Sequence, residues 1–276
     1  MHKLFLILTA VFITACSKSP TAPMIVAHRG ASYDAPENTI PAFMLAWEQG
    51  SDAIEGDFFL SADREVVCIH DSHTGRVSDT NLIVAESSLQ ELRKLDVGSW
   101  KGEEWKGTGI PTIAEVFAIV PADKKIFVEI KPGTEILPGV YEEIDRSGLR
   151  DDQIVIISFN ADVVREFKAA RPEHKVYWLS GLRKDAYGNV VPGLDTVLET
   201  LERTGADGFS SHHGLVTGEF VDQILNAGYE YHVWTVNDPA RAWELKGYGV
   251  MSITTDVPGL IREYFEEQES LSRKQK

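Results

Sequence analysis

Eight short runs rich in β-branched and aromatic residues recur along this chain, and amphipathic stretches of helical length fall between most of them. That alternation is the strongest constraint on its fold. The strand candidates are Met24–His28, Ala53–Phe59, Ile126–Lys131, Ile154–Phe159, Lys175–Leu179, Asp207–Ser211, Glu230–Val236 and Met251–Thr255. Helical periodicity covers Ile40–Gln49, Thr112–Ile119, Ile136–Arg146, Ala161–Ala170, Leu194–Arg203, Gly218–Ala227 and Pro239–Lys246. Many of these helices meet a glycine suited to a C-terminal cap, namely Gly50, Gly148, Gly205 and Gly228. The pattern predicts an α/β fold, a parallel TIM (β/α)8 barrel, with an open doubly wound sheet as the competing architecture.

One segment breaks the rhythm. About sixty residues separate the second and third runs, too many for an ordinary βα loop. Glu65–Ile69 reads as an extra strand turned back at Ala62-Asp63-Arg64, and Ser88–Leu95 as a short helix. Residues 60–111 are therefore expected to form a small insertion over the barrel mouth.

The length of 276 residues suits one such barrel. A hydrophobic content of 43% supplies ample core, and a net charge of −15 argues against nucleic acid as a partner. The charged end, residues 266–276, reads as a fraying tail, which leaves 24–265 for the barrel.

The start of the chain is different in kind. Leu4 to Ile13 is nearly all apolar yet short for a bilayer span, and Ile13-Thr14-Ala15-Cys16 precedes a polar, proline-containing tether over 17–23. Residues 1–16 resemble a bacterial lipoprotein signal peptide, which implies lipidation of Cys16 and anchoring in the cell envelope. Ser17 resembles an outer-membrane sorting signal, so a Gram-negative source would imply the periplasmic face of that membrane. The other cysteine, Cys68, lies in the apolar run Val66-Val67-Cys68-Ile69 and reads as a buried, inert thiol.

Barrel chemistry gathers at the C-terminal strand ends. The first strand ends in His28-Arg29-Gly30: an imidazole that can move protons, a guanidinium that can fork onto phosphate, and a turn residue. A hydrogen-bonded histidine beside a surface arginine would read the same way. In the second strand, Glu55 and Asp57 point to one side because side chains alternate. Two such carboxylates repel each other unless a cation lies between them. Glu129 and Lys131 share a face at the end of an otherwise apolar third strand, where burying charge is costly unless it is paired or ligating. Glu55, Asp57 and Glu129 would thus offer oxygen ligands to a hard cation, Mg²⁺ or Ca²⁺. His70-Asp71 ends the extra strand, with Asp71 able to orient an imidazole. Trp234 can wall a pocket or serve the core, and His212 and His213 read as loop histidines in water.

Taken in order, His28-Arg29-Gly30, Glu37-Asn38-Thr39, Glu55-Gly56-Asp57, His70-Asp71, Glu129-Ile130-Lys131, Trp234-Thr235-Val236-Asn237 and Thr255-Asp256 resemble the glycerophosphodiester phosphodiesterase family. The resemblance covers nearly all of the chain after the tether. It implies a TIM barrel with a small insertion after the second strand, and hydrolysis of glycerophosphodiesters to glycerol 3-phosphate and an alcohol. It further implies one divalent cation on Glu55, Asp57 and Glu129, with His28 and His70 as acid and base. Arg29 and Lys131 would hold the phosphate, and Glu37 and Asn38 would shape the site or reach the metal. After His-Asp, many members carry a leucine and then Arg-Thr-Thr; this chain has Ser72-His73-Thr74-Gly75-Arg76-Val77. The alternatives are a lysophospholipase D acting on lipids, and a non-catalytic envelope lipoprotein that binds phosphodiesters.

Overall fold

The computed structural model describes residues 22–274. Its frame is a closed barrel of eight parallel strands: β1 (Met24–His28), β2 (Ala53–Leu60), β4 (Lys125–Ile130), β5 (Ile154–Ser158), β6 (Lys175–Ser180), β9 (Gly208–His212), β10 (Glu230–Trp234) and β11 (Ser252–Thr255). The ring closes where β1 pairs with both β2 and β11. Around it run α1 (Ile40–Glu48), α3 (Ile113–Phe117), α4 (Leu137–Ser147), α5 (Ala161–Ala170), α6 (Leu194–Thr204), α7 (Gly218–Asn226), α8 (Pro239–Gly247) and α9 (Pro258–Lys274). This is a TIM barrel.

Strand alternation divides the apolar residues into two layers. Ile25, Ile54, Ile126, Val128, Ile154 and Ile156 face outward into the main core beneath the helices. Val26, Ala53, Phe127, Val155, Ile157, Tyr177 and Leu179 fill the barrel itself. The helices start where side chains can accept the first free N–H groups: Thr39 caps α1, Asn160 caps α5, Thr217 caps α7 and Asp238 caps α8. Thr112 and Glu115 form a reciprocal capping box on α3. Gly50, Gly148, Gly205 and Gly228 all carry positive φ at helix ends.

The insertion has its own small core of Val67, Ile69, Val77, Val84, Leu92, Val97 and Ile110. Its strand β3 (Val66–Cys68) runs antiparallel to β2, pairing Phe58 with Cys68. Its one α-helical turn is α2 (Leu89–Leu92), capped by Ser88 and Glu91. Cys68 is buried and free, in keeping with an inert thiol.

Two elements depart from the sequence pattern. The tail read as fraying from residue 266 is instead the end of α9, helical through Lys274. Ile261 and Phe265 bury one face of α9, Arg262 binds Asp52 at 2.7 Å, and Glu269 binds Lys246 at 2.6 Å. A small hairpin, β7 (Arg183–Lys184) with β8 (Val190–Val191), also follows β6. Its turn is organised by Asp185, which accepts from the N–H groups of Tyr187 and Asn189. Residues 1–16, read as a signal peptide with Cys16 as the lipidation site, and most of the segment read as a tether lie outside the described residues. Among the described residues, no helix is long and apolar enough to cross a membrane.

Candidate active site

The site begins in strand register. β1 and β2 pair His28 with Glu55, while β2 and β4 pair Asp57 with Glu129. Alternation then turns Glu55, Asp57 and Glu129 into the barrel mouth together. All three are buried, and one oxygen of each lies within 4.8 Å of the other two. Glu55 Oε1 has no hydrogen-bond partner, and Asp57 Oδ1 has only the Lys131 ammonium 3.3 Å away, outside hydrogen-bond alignment. Buried carboxylate oxygens are costly to leave unpaired, so this donor set suits a hard cation.

The chain also brings cations to the cluster. The Arg29 main-chain N–H donates to Glu55 Oε2 at 2.9 Å. Arg29 Nε lies 3.1 Å from Asp57 Oδ2 without the alignment of a hydrogen bond, and the guanidinium donates to Glu37 at 3.0 Å. Lys131 donates to Glu129 at 2.8 Å and sits 3.3 Å from Asp57. The electrostatics follow from this placement. Burial, then the charges of Asp57 and Glu129, push Glu55 well above the ordinary carboxyl range. Glu129 is raised to about 7, again by burial first and then by Asp57. Burial also opposes charge on Asp57, but Arg29 and Lys131 outweigh it and hold Asp57 below its usual value.

Arg29 takes positive φ, 55°, and so does Gly30, at 83°. A Cβ on Gly30 would lie 2.6 Å from the Ala42 carbonyl carbon, so this sharp turn excludes other residues. Asn38 is also left-handed and exchanges two hydrogen bonds with Asp57, at 2.8 and 3.0 Å. Asn38 is thus fixed against Asp57, while Glu37 lies outside the carboxylate cluster, bound to Arg29.

Each histidine is braced by an acid. His28 Nδ1 lies 2.6 Å from Asp256, which also accepts from Ser32 and Asn237. Asp256 is held down at about 2; these hydrogen bonds, with that to His28 the strongest, overcome its burial. His70 Nδ1 lies 2.6 Å from Asp71, which accepts from Arg76 Nε at 2.6 Å. Burial lowers the His70 pKa most; Asp57 opposes this, while Arg29 and Lys131 add to it.

These groups open onto one pocket at the barrel mouth. His28, Arg29, Glu55, His70, Glu129 and Lys131 line one side, and Ile157, Phe159, Leu179 and Trp234 the other. Ser210, His232 and Ser252 lie deeper in the barrel, with His232 Nδ1 2.8 Å from Ser252 Oγ.

The profile of the glycerophosphoryl diester phosphodiesterase family matches residues 28–260. The chain belongs to this family. A glycerophosphodiester phosphodiesterase from Caldanaerobacter subterraneus is 35% identical over 191 residues, 62% of this chain and 79% of that protein. One from Bacillus subtilis is 27% identical over 270 residues, 90% of each chain. The structure of an Oleispira antarctica phosphodiesterase, in complex with the product sn-glycerol-3-phosphate, matches with TM-score 0.80 at 29% identity. That match covers 89% of this chain and 97% of the other.

For a glycerophosphodiester phosphodiesterase, the structure gathers the expected residues well. His28, Arg29, Glu55, Asp57, His70, Glu129 and Lys131 converge, with Glu37, Asn38 and Asp71 directly behind them and Trp234 on the facing wall. His212 is exposed as expected; its Nδ1 accepts from Gly214 N–H at 3.2 Å, and its ring meets Trp234 edge-on at 5.7 Å, whereas His213, also read as lying in water, is half-buried with its Nδ1 shielded and without a hydrogen-bond partner. Sequence reasoning gave no role to Arg76, Phe159 or His232, and did not pair Asp256 with His28. Only Asp256 carried a signal, its position just after the last strand.

Proposed function

We propose that this phosphodiesterase hydrolyses glycerophosphodiesters to glycerol 3-phosphate and an alcohol, with a divalent cation on Glu55, Asp57 and Glu129. One observation carries the reading: a buried carboxylate cluster, in which Glu55 Oε1 has no partner, shares its pocket with two acid-braced histidines. Bound there, Mg²⁺ or Ca²⁺ supplies charge neutralisation at the phosphoryl oxygens.

The remaining work falls to the chain. A phosphodiester repels nucleophiles through its own negative charge. Arg29 and Lys131 offset that charge, most effectively as it grows in the transition state. The Nδ1 atoms of His28 and His70 are engaged by Asp256 and Asp71, which leaves each Nε2 for proton transfer. One imidazole takes the proton of the attacking hydroxyl as the new P–O bond forms. The other gives a proton to the leaving alcohol oxygen as the old bond breaks. Attack by water gives glycerol 3-phosphate directly, whereas attack by the neighbouring glycerol hydroxyl gives a cyclic phosphate that water then opens, the same pair moving the protons in both steps.

Purified protein with Mg²⁺ or Ca²⁺ is expected to release glycerol 3-phosphate and choline from glycerophosphocholine, to fall silent in EDTA and to recover when metal is restored. Full turnover after exhaustive chelation would remove the metal; absence of glycerol 3-phosphate with either cation would remove the reaction. A lysophospholipid is the second reading, favoured by the apolar wall with its half-exposed Phe159. Faster turnover of lysophosphatidylcholine than of glycerophosphocholine would select it.

We also propose that Cys16 is lipidated and anchors the enzyme in the cell envelope, on the periplasmic face of the outer membrane in a Gram-negative cell. The support is the Ile13-Thr14-Ala15-Cys16 sequence with Ser17 after it. Cys16→Ala should move the protein from the membrane to the soluble fraction. An unchanged distribution would rule the anchor out.

A further inference from the structure

We propose that Arg76, from the insertion, is a positioning residue that sets His70 and Arg29 in fixed relation to each other. The inference rests on the roles given to those two residues above. Arg76 spends all three of its nitrogens on the machinery behind them. Its Nε donates to Asp71 Oδ2 at 2.6 Å, and the other oxygen of Asp71 holds His70 Nδ1 at 2.6 Å. Its two terminal nitrogens fork onto both oxygens of Glu37 at 2.7 Å each. Glu37 in turn accepts from Arg29 at 3.0 Å. One planar guanidinium therefore joins the brace of a proton-transfer group to the brace of a phosphate-binding group.

The two braces belong to different parts of the fold. Glu37 sits in the long loop after β1, while His70 and Asp71 follow β3 in the insertion. Relative movement of the two parts would separate the imidazole from the guanidinium. Arg76 resists that movement because its own loop is tied down. Thr74 Oγ1 donates to the Thr80 carbonyl at 2.6 Å and accepts from Leu82 N–H at 2.9 Å. The side chain of Arg76 is 42% exposed, so its ion pairs contribute little to global stability. Its contribution lies in geometry, where an offset of about 1 Å can cost about 10²-fold in rate. A lysine would keep the charge but lose the planar fork.

Arg76→Met is expected to lower kcat for glycerophosphocholine about 10- to 100-fold at saturating metal and substrate. Its Tm and its metal affinity should stay near wild type. Arg76→Lys should recover only part of the loss. In an Asp71→Asn background, Arg76→Met should cost no more than a few-fold, because its path to His70 is already cut. His70→Ala serves as the control. If His70→Ala is inactive while Arg76→Met keeps wild-type kcat, the positioning role is overturned and the function stands. Full additivity of Arg76→Met and Asp71→Asn also overturns it, as does a fall in Tm with kcat per folded molecule unchanged. If His70→Ala turns over like wild type, the reading of the site itself fails.

Discussion

On the side of β1, β2 and β4 the barrel mouth presents His28, Arg29, Glu55, Glu129 and Lys131, with His70 brought over by the insertion; across from them β5, β6 and β10 present Ile157, Phe159, Leu179 and Trp234. The two walls are built on different terms. The charged wall works against folding at Glu55 and Glu129, which burial raises above the ordinary carboxyl range even beside Arg29 and Lys131. The apolar wall favours folding: Phe159 meets Trp234 edge-on at 5.5 Å and accepts from Trp178 Nε1 through its carbonyl. A substrate with a charged centre and a variable alcohol divides naturally between them. The charged wall would hold the reacting phosphate, and the apolar wall would meet the part of the substrate that varies.

Substitutions on the two walls should therefore fail in different ways. His28→Ala or His70→Ala should lower kcat by about 10²–10⁴-fold for every diester tested, leaving the ranking of substrates unchanged. Phe159→Ala or Trp234→Ala should act mainly on that ranking, shifting kcat/KM between glycerophosphocholine and bulkier diesters by roughly 10-fold. Steady-state kinetics on one substrate panel reads both. A ranking altered by the histidine variants, or a uniform collapse from Phe159→Ala, would erase the division between the walls.

The charged wall was far more legible in the sequence than its bracing. Glu55 and Asp57 sit two apart on a strand, so local alternation alone predicts their shared face, and Glu129 stands out as a charge near the end of an apolar run. The barrel was legible for the same reason, because strand and helix periods are local. Asp256 meets His28 across 228 residues, and Arg76 meets Glu37 across 39. No local period encodes such pairings. His232 looked like one polar residue in a strand, yet it is buried inside the barrel, stacked on Tyr177 at 3.9 Å. α9 was not read as a helix at all; past Phe265 the chain turns strongly polar, and that part is held by ion pairs such as Glu269 with Lys246. The apolar wall was only half visible: Trp234 stood out, whereas Phe159 resembled any strand-ending aromatic.

The smallest expected effect tests the claim that the charged wall works against folding. In the folded protein Glu129 titrates at about 7, raised by burial and then by Asp57, against 4.5 for an ordinary glutamate. A raised carboxyl binds its proton more tightly when folded. The stability it confers is thus complete below about pH 4.5 and is lost as pH rises through about 7. His70 and His232 run the other way: burial is the chief cause of their lowered pKa values, so their contribution improves as pH rises through the histidine range. The difference between wild type and Glu129→Gln, both kept metal-free in EDTA, isolates the carboxyl. From pH 5 to pH 7 the Tm of Glu129→Gln should gain on wild type by several degrees, at roughly 2–4 °C per kcal/mol for a chain of this size. Saturating Mg²⁺ or Ca²⁺ should erase or reverse that gain, because a bound cation displaces the proton and stabilises only the wild-type cluster. A gap that stays constant with pH in EDTA would mean that Glu129 is already charged at pH 5. The charged wall would then be neutralised by Arg29 and Lys131 alone, and its contrast with the apolar wall would rest on chemistry rather than on stability.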